Sequence, residues 1–168
     1  MLSGIKIRPS TSQDYPMIRE IYELGIKSGN STFETKAPSW SEWDKGHLSK
    51  CRFFAMDEEG NGAGWAALTP VSGRCVYSGV AEVSVYVHPG FQGKGIGKRL
   101  LLELISESEK QNIWTLQAGI FPENTASLKI HEQCGFRQVG YHEKIGKMKN
   151  VWRDTTLLER RSKIVGTN

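Results

Sequence analysis

The fold is decided by residues 80–98, Val80-Ala81-Glu82-Val83-Ser84-Val85-Tyr86-Val87-His88-Pro89-Gly90-Phe91-Gln92-Gly93-Lys94-Gly95-Ile96-Gly97-Lys98. The first eight are rich in β-branched and aromatic residues, which predicts a strand, and His88-Pro89-Gly90 ends it. Residues 97–110 carry an apolar stripe at helical spacing, which predicts an amphipathic helix. A strand, a glycine-rich loop and a helix therefore follow one another directly.

Hydrophobic period and turn residues predict the elements before this segment. A short strand around Ile5 and Ile7 leads through the capping sequence 11–14 into a helix that ends near residues 25–29. Residues 30–40 have loop composition, and residues 39–50 form a second, polar helix anchored by Trp40 and Trp43. The apolar runs 51–57 and 64–70, separated by a turn cluster, predict an antiparallel hairpin.

After the segment, we expect a strand over 113–121, a helix over 124–134 closed by Gly135, and strands over 136–144 and 151–159. The order is β-α-α-β-β-β-α-β-α-β-β, with no repeat or linker. This order predicts an α/β (α+β) fold in which helices flank a mixed, mostly antiparallel sheet. A chain of 168 residues has room for one domain, so residues 1–168 are predicted to form a single domain.

Composition and charge exclude several classes of protein. No run of about 18 apolar residues is present and the first residues alternate in polarity, so neither a membrane span nor a secretion signal is predicted. Three single cysteines without metal-ligand spacing predict no disulfide framework, no metal site and a cytoplasmic protein. The net charge of +4 suits an anionic ligand but is too small to indicate nucleic acid.

The glycine-rich loop, residues 92–98, is a candidate phosphate site. Glycines at 93, 95 and 97 let a ligand approach the backbone, and the following helix directs free N–H groups and the positive end of its dipole outward. Lys94 and Lys98 add positive charge. The alternative is a glycine turn that only caps the helix.

Glu82 is a candidate general base. Period-two geometry places it on one strand face with Ser84 and Tyr86, among valines. Partial burial would raise its pKa toward the value that proton abstraction from an ammonium group requires. The alternative is a solvent-facing glutamate or one paired with an arginine.

Asn124, Ser127 and His131 form one polar stripe on a predicted helix, beside an apolar row that contains Cys134. The stripe indicates a ligand, whereas a lone helical histidine is about as often a structural residue. Cys134 suggests a covalent acyl-enzyme only weakly, because a lone cysteine in an apolar row is far more often a packing residue.

With Gln92 included, the loop reads Q-x-x-G-x-G and resembles the GNAT superfamily of acyl-CoA-dependent N-acyltransferases, and Asn124-x-x-Ser127-x-x-x-His131-x-x-x-Gly135-Phe136 adds a second resemblance. The resemblance implies that residues 92–98 bind the CoA pyrophosphate and that the backbone of the strand's second half binds the pantetheine arm. The implied cofactor-binding set is Val85, Tyr86, Val87, Gln92, Gly93, Lys94, Gly95, Ile96, Gly97, Lys98, Asn124 and Ser127. His131 stands where members of the family commonly have a tyrosine that protonates the departing CoA thiolate.

Arg74, Tyr77 and Glu82, together with Ser31-Thr32-Phe33-Glu34, resemble the phosphinothricin and methionine sulfoximine acetyltransferase branch of that family. The resemblance implies that Arg74 grips the carboxylate of a small amino-acid analogue and that Phe33, Tyr77 and Tyr86 wall the pocket, with Ser84 as a donor. It also implies a homodimer. The alternative is an ordinary loop arginine beside core aromatics.

The predicted function is therefore that of a cytoplasmic, acetyl-CoA-dependent N-acetyltransferase without a metal, acting on the α-amine of a small amino-acid-like molecule. Glu82 accepts the proton, and the thiolate takes one from His131 or from solvent. Two rivals stay open. One acetylates a protein N-terminus, a polyamine or an aminoglycoside, and the other is a CoA-binding module without catalysis, for which Glu82 would have to lie in an ion pair.

Overall fold

A computed structural model describes residues 4–168, which form one seven-stranded sheet with four α-helices. The strands are β1 (Lys6–Pro9), β2 (Arg52–Met56), β3 (Gly62–Pro70), β4 (Val80–Val87), β5 (Thr115–Ile120), β6 (Arg137–Met148) and β7 (Val151–Arg161). Their order in the sheet is β1-β2-β3-β4-β5-β7-β6. Every neighbouring pair is antiparallel except β4 and β5, which confirms the predicted mixed, mostly antiparallel sheet.

The helices are α1 (Tyr15–Ser28), α2 (Trp40–Gly46), α3 (Ile96–Lys110) and α4 (Thr125–Gln133). The first turns of α2 and α4 are capped by local side chains. Ser39 and Glu42 form a capping box at α2, and the side chain of Asn124 accepts a hydrogen bond from the Ser127 N–H at the start of α4. Gly29, in the left-handed conformation, ends α1.

The two faces of β4 differ, as its period-two pattern predicts. Ala81 and Val83 are buried on the α3 face, in a core that includes Leu100, Leu101 and Leu104. Tyr86 packs on the other face against the aromatic cluster beneath α1 and α2. Glu82 and Ser84 lie on the same face of β4 as Tyr86. This is the face on the side of α1 and α2.

Strands β4 and β5 pair over only three residues, from Val80 with Thr115 to Glu82 with Gln117. Beyond Glu82 the two strands separate, and no strand within residues 4–168 pairs with the rest of β4 on that side. Its backbone N–H and C=O groups on this edge are left free to bind something other than a strand. A cleft opens at this point in the middle of the sheet.

Candidate active site

The separation of β4 and β5 opens into a cleft of about 1190 Å³. It runs from the glycine loop at the start of α3, past the second half of β4, to loop 29–39 and α2. Most of the residues predicted for the site line it: Phe33, Glu82, Ser84, Val85, Tyr86, Val87, Gln92, Gly93, Gly95, Ile96, Gly97, Lys98, Asn124, Ser127 and His131. Predicted site residues as far apart in sequence as Phe33 and His131 are thereby brought to one surface.

The glycine loop has the backbone that a phosphate site requires. Gly93 and Gly95 have φ angles of +75° and +72°, in the left-handed region. A Cβ at Gly93 would project into open space, so the backbone there is bare. A Cβ at Gly97 would lie 3.2 Å from Ile130 Cδ1, so that glycine serves the packing of α3 on α4. The exposed N-terminus of α3 and a bare loop together form an anion cradle.

Glu82 presents a free carboxylate to the cleft. The side chain is exposed toward the open cleft, and desolvation by the cleft walls raises its pKa above the usual range. No ion pair or hydrogen bond engages this carboxylate within residues 4–168, and desolvation is the sole cause of the shift. The Glu82 carboxylate is therefore free to accept a proton, because no structural ion pair holds it.

The end of the cleft nearest α1 is aromatic. The Tyr22 and Tyr86 rings meet edge-on at 4.9 Å, and Trp65 stacks on Tyr86 at 4.8 Å. Burial raises the pKa of both tyrosines, which keeps their hydroxyls neutral. Tyr22 belongs to α1, and its contribution to the cleft becomes visible only once α1 is packed on β4.

His131 is buried and belongs to the α4 wall, with 3% of its surface exposed. Its Nδ1 lies 2.8 Å from the Ser127 carbonyl oxygen, which can only accept, so Nδ1 carries the proton. Burial lowers the pKa of the ring, and in the neutral form Nε2 has no proton. Nε2 is also closed to solvent and has no partner among the described residues. The predicted role of proton donor to the thiolate does not fit this geometry.

Arg74 and Tyr77 are not brought into the cleft. They lie on the exposed connection between β3 and β4, where residues 75–77 form a 3₁₀ turn, and the Arg74 guanidinium lies 5.6 Å from the centre of the Tyr77 ring. The predicted grouping with Glu82 assumed one continuous surface, whereas both side chains are exposed on this connection and neither lines the cleft. Lys94 also lies outside the lining, over the ring of Phe91.

Loop 29–39, which carries Phe33, is fixed from several sides. Phe33 meets Phe121 edge-on at 4.9 Å, and a Cβ at Gly146 would lie 2.7 Å from the Phe33 ring. Arg153 donates to the Gly29 carbonyl at 2.9 Å, and Asn124 donates to the Asn30 carbonyl at 3.1 Å. The predicted loop is thus a built wall of the cleft.

Cys134 is buried and does not line the cleft, and burial raises the pKa of its thiol. A raised pKa disfavours the thiolate that a nucleophile requires. Within the described part of the chain, no group of three or more His, Cys, Asp or Glu side chains could hold a metal ion. No helix of residues 4–168 has the length and apolarity to cross a membrane.

Comparison with known proteins agrees with the cleft. The sequence profile of the acetyltransferase (GNAT) family matches residues 16–136. The chain is 32% identical over 160 residues to a phosphinothricin N-acetyltransferase of Alcaligenes faecalis, covering 92% of this chain and 81% of that protein. It is 32% identical over 168 residues to the L-methionine sulfoximine/L-methionine sulfone acetyltransferase of Pseudomonas aeruginosa, covering 91% of this chain and 92% of that protein.

A solved structure is similar throughout. The GNAT superfamily phosphinothricin acetyltransferase of Sinorhizobium meliloti, crystallised in complex with AcCoA, has a TM-score of 0.87 and 27% identity, covering 98% of this chain and 92% of that one. The fold and the cleft are therefore those of an acyltransferase. The chain belongs to the acetyltransferase (GNAT) family and is an N-acetyltransferase, a family that uses acetyl-CoA.

Proposed function

We propose that this enzyme transfers the acetyl group of acetyl-CoA to the α-amine of a small amino-acid-like acceptor of the phosphinothricin or methionine sulfoximine type. The observation that carries the proposal is the free Glu82 carboxylate at the point where β4 and β5 separate. The named activities of the similar proteins support the acceptor class. The rival without catalysis requires Glu82 in an ion pair, and it has none among the described residues.

The cleft residues fit acetyl-CoA. Gly93, Gly95 and the N-terminus of α3 suit the pyrophosphate, with Lys98 close by as a cation. The free edge of β4 over residues 83–87 suits the amide groups of the pantetheine arm. When bound, acetyl-CoA supplies the activated acyl group as a thioester.

The chain's own part in the reaction is to align the amine and to move protons. Glu82 accepts a proton from the acceptor's ammonium group, directly or through water, which leaves the amine free to attack the thioester carbonyl. Backbone N–H groups on the free edge of β4 polarise that carbonyl. As the C–S bond of the thioester breaks, the nitrogen loses its second proton to solvent and the CoA thiolate takes one from solvent, since His131 Nε2 carries none.

For the acceptor's carboxylate the proposed partner is Arg74, which lies on the exposed β3–β4 connection outside the cleft lining and would meet an acceptor that extends beyond that lining. Its guanidinium forms no ion pair with another described residue, and a planar fork binds carboxylate in two hydrogen bonds. It lies on the β3–β4 connection, at the end of β4 that bears Glu82. Lys36, which does line the cleft, is the competing cation.

We also propose that the enzyme is a homodimer. The β6–β7 hairpin exposes an apolar set that a second copy would cover: Tyr141, Ile145, Val151 and Trp152. Sedimentation equilibrium tests this, with Trp152→Gln expected to shift the mass toward the monomer. A cytoplasmic location is proposed on the three free cysteines and is tested by cell fractionation.

The experiment for the proposed function is a thiol-release assay with acetyl-CoA and a panel of acceptors. The panel contains phosphinothricin, methionine sulfoximine, common amino acids, polyamines and peptides with free N-termini. We expect the highest kcat/KM for the small acceptors that carry a carboxylate. Preference for a polyamine or a peptide would assign the enzyme to another acceptor class.

A further inference from the structure

His47 is a cleft residue to which neither the sequence motifs nor the proposed reaction gives a role. It directly follows α2, and its ring stacks on Trp43 with centroids 4.3 Å apart. Trp65 meets the same ring edge-on at 6.2 Å. The two indoles therefore fix the plane of the imidazole at the cleft wall.

Hydrogen bonding also fixes which ring nitrogen carries the proton. Nδ1 lies 2.6 Å from the Trp43 carbonyl oxygen, which can only accept, so Nδ1 is the donor. Burial lowers the pKa of the ring, with the Arg52 guanidinium adding to that effect, so the ring is neutral near pH 7. Nε2 is then a hydrogen-bond acceptor, and no residue within 4–168 bonds to it.

The backbone around His47 is held by a buried arginine. Arg52 donates to the carbonyls of Asp44, His47 and Leu48 at 2.7–2.8 Å, and to the Asp44 carboxylate. The side chain of Arg52 is almost completely enclosed. Four such bonds make the turn a rigid support for the imidazole, not a mobile loop.

The position of His47 relative to Glu82 follows from the strand register. The N–H of Leu48 donates to the Leu68 carbonyl at 2.8 Å, which places His47 beside the end of β3. Thr69, the next residue of β3, stands opposite Glu82 on β4, and all three line the cleft. His47 thus lies on the β3 side of Glu82, whereas the gap that leads to the glycine loop lies on the β5 side.

Since acetyl-CoA is proposed to approach from the β5 side, the β3 side of Glu82 is open to the other end of the acceptor. We propose that His47 is a specificity-determining residue, whose Nε2 accepts a hydrogen bond from an N–H group at the end of the acceptor remote from the reacting amine. This inference rests on the proposed function. It predicts a preference for a side chain that donates over one of the same shape that only accepts.

Methionine sulfoximine and methionine sulfone form such a pair, since an N–H in the first is replaced by an oxygen in the second. A sulfone oxygen facing the lone pair of Nε2 leaves two acceptors opposed, whereas the sulfoximine N–H donates to it. A site built around one hydrogen bond discriminates against an analogue that lacks the donor.

The test is the ratio of kcat/KM for sulfoximine to that for sulfone, measured at saturating acetyl-CoA. His47→Phe keeps an aromatic ring on Trp43 and removes the acceptor nitrogen, and it should lower the ratio about tenfold. His47→Gln offers an amide oxygen and should keep part of the preference. The KM for acetyl-CoA should stay at the wild-type value in both variants.

A purely structural His47 would lower both activities together and leave the ratio unchanged, and that result would overturn the inference. If His47→Phe does not fold, an unaltered ratio in His47→Leu, which also removes the acceptor nitrogen, or a wild-type ratio near one, does the same. Wild-type enzyme that acetylates neither compound would instead refute the proposed acceptor class, and this inference with it.

Discussion

The guanidinium of Arg153 lies over the ring of Phe121, with Cζ 4.0 Å from the ring centre. The same group donates to the Gly29 carbonyl and approaches Asn30 and Glu123. Strand β7 is thereby joined to the loop that carries Phe33. Arg153 touches neither Glu82 nor the glycine loop. It nevertheless shapes the acceptor wall, the side of the cleft that loop 29–39 forms and against which the acceptor is proposed to bind.

We therefore expect Arg153→Met to loosen loop 29–39 and to raise the KM for the acceptor several-fold, with little change in the KM for acetyl-CoA. Arg137→Met is the matched control, because Arg137, on the adjacent strand β6, forms an exposed ion pair with Glu159. Steady-state kinetics on both variants decide the matter. Equal KM values for the acceptor would show that Arg153 has no part in shaping the wall.

The anion cradle is tested by a pair of glycines with similar backbones. Gly93 and Gly60 both have positive φ, and a Cβ at either meets nothing within 4 Å. Gly93 lies in the cleft and Gly60 in the β2–β3 turn. Leucine at either position carries a similar backbone cost, but only Gly93→Leu should weaken CoA binding, by about tenfold or more. Calorimetry that finds the same Kd in both variants would place the pyrophosphate elsewhere.

Two cations, Arg74 and Lys36, compete for the role of carboxylate clamp, the group that binds the acceptor's carboxylate. Arg74→Ala should raise the KM for phosphinothricin strongly, while Lys36→Ala should change it little, because only the guanidinium offers two parallel hydrogen bonds. The KM for acetyl-CoA should be unaffected in both. The reverse pattern would transfer the clamp to Lys36, which already lines the cleft.

His131 is expected to tolerate a change that removes Nε2. In His131→Asn the side-chain amide can still donate to the Ser127 carbonyl, as Nδ1 does now. We expect kcat to fall by less than about tenfold, which is below the usual contribution of a general acid. A loss of about a hundredfold, with CoA binding intact, would restore the role that the sequence suggested.

Removing the Glu82 charge should raise the stability of the fold although it lowers the activity. Its pKa is raised in the folded protein, so the ionised form is disfavoured there relative to the unfolded chain. Glu82→Gln should therefore have a higher Tm than wild type at pH 7 to 8. The difference should shrink as the pH falls through the raised pKa and vanish below the unfolded value of about 4.3. Thermal melts across this range test the sign.

The strand-loop-helix core of the fold could be predicted because its signals are local. The β-branched run 80–87 coincides with β4, and the leucine stripe with α3. The predicted helix 39–50 ends at Gly46 instead, because the carbonyls of residues 44, 47 and 48 bond to Arg52 and not to a further helical turn. These hydrogen bonds depend on the position of Arg52 in the folded chain. The spacing of apolar residues along a helix carries no information about them.

The site residues also divide into those marked by local sequence and those that only the packing of the fold brings in. The glycine loop, the β4 face and the α4 stripe each lie within one short segment, and the structure brings them together. Arg74 was joined to Glu82 by spacing across a loop, where spacing does not determine direction. His47 and Tyr22 enter the cleft through the packing of α1 and α2 on the sheet, and no motif marks them.

The most direct test of the account is the yield of acetylated product from Glu82→Gln. Wild-type enzyme and the variant are mixed with acetyl-CoA and phosphinothricin or methionine sulfoximine, and the products are identified by mass spectrometry. We predict that wild type forms the α-N-acetyl product, and that the variant binds CoA normally but turns over about a hundredfold more slowly. Equal rates, or a wild-type product acetylated elsewhere, would contradict it.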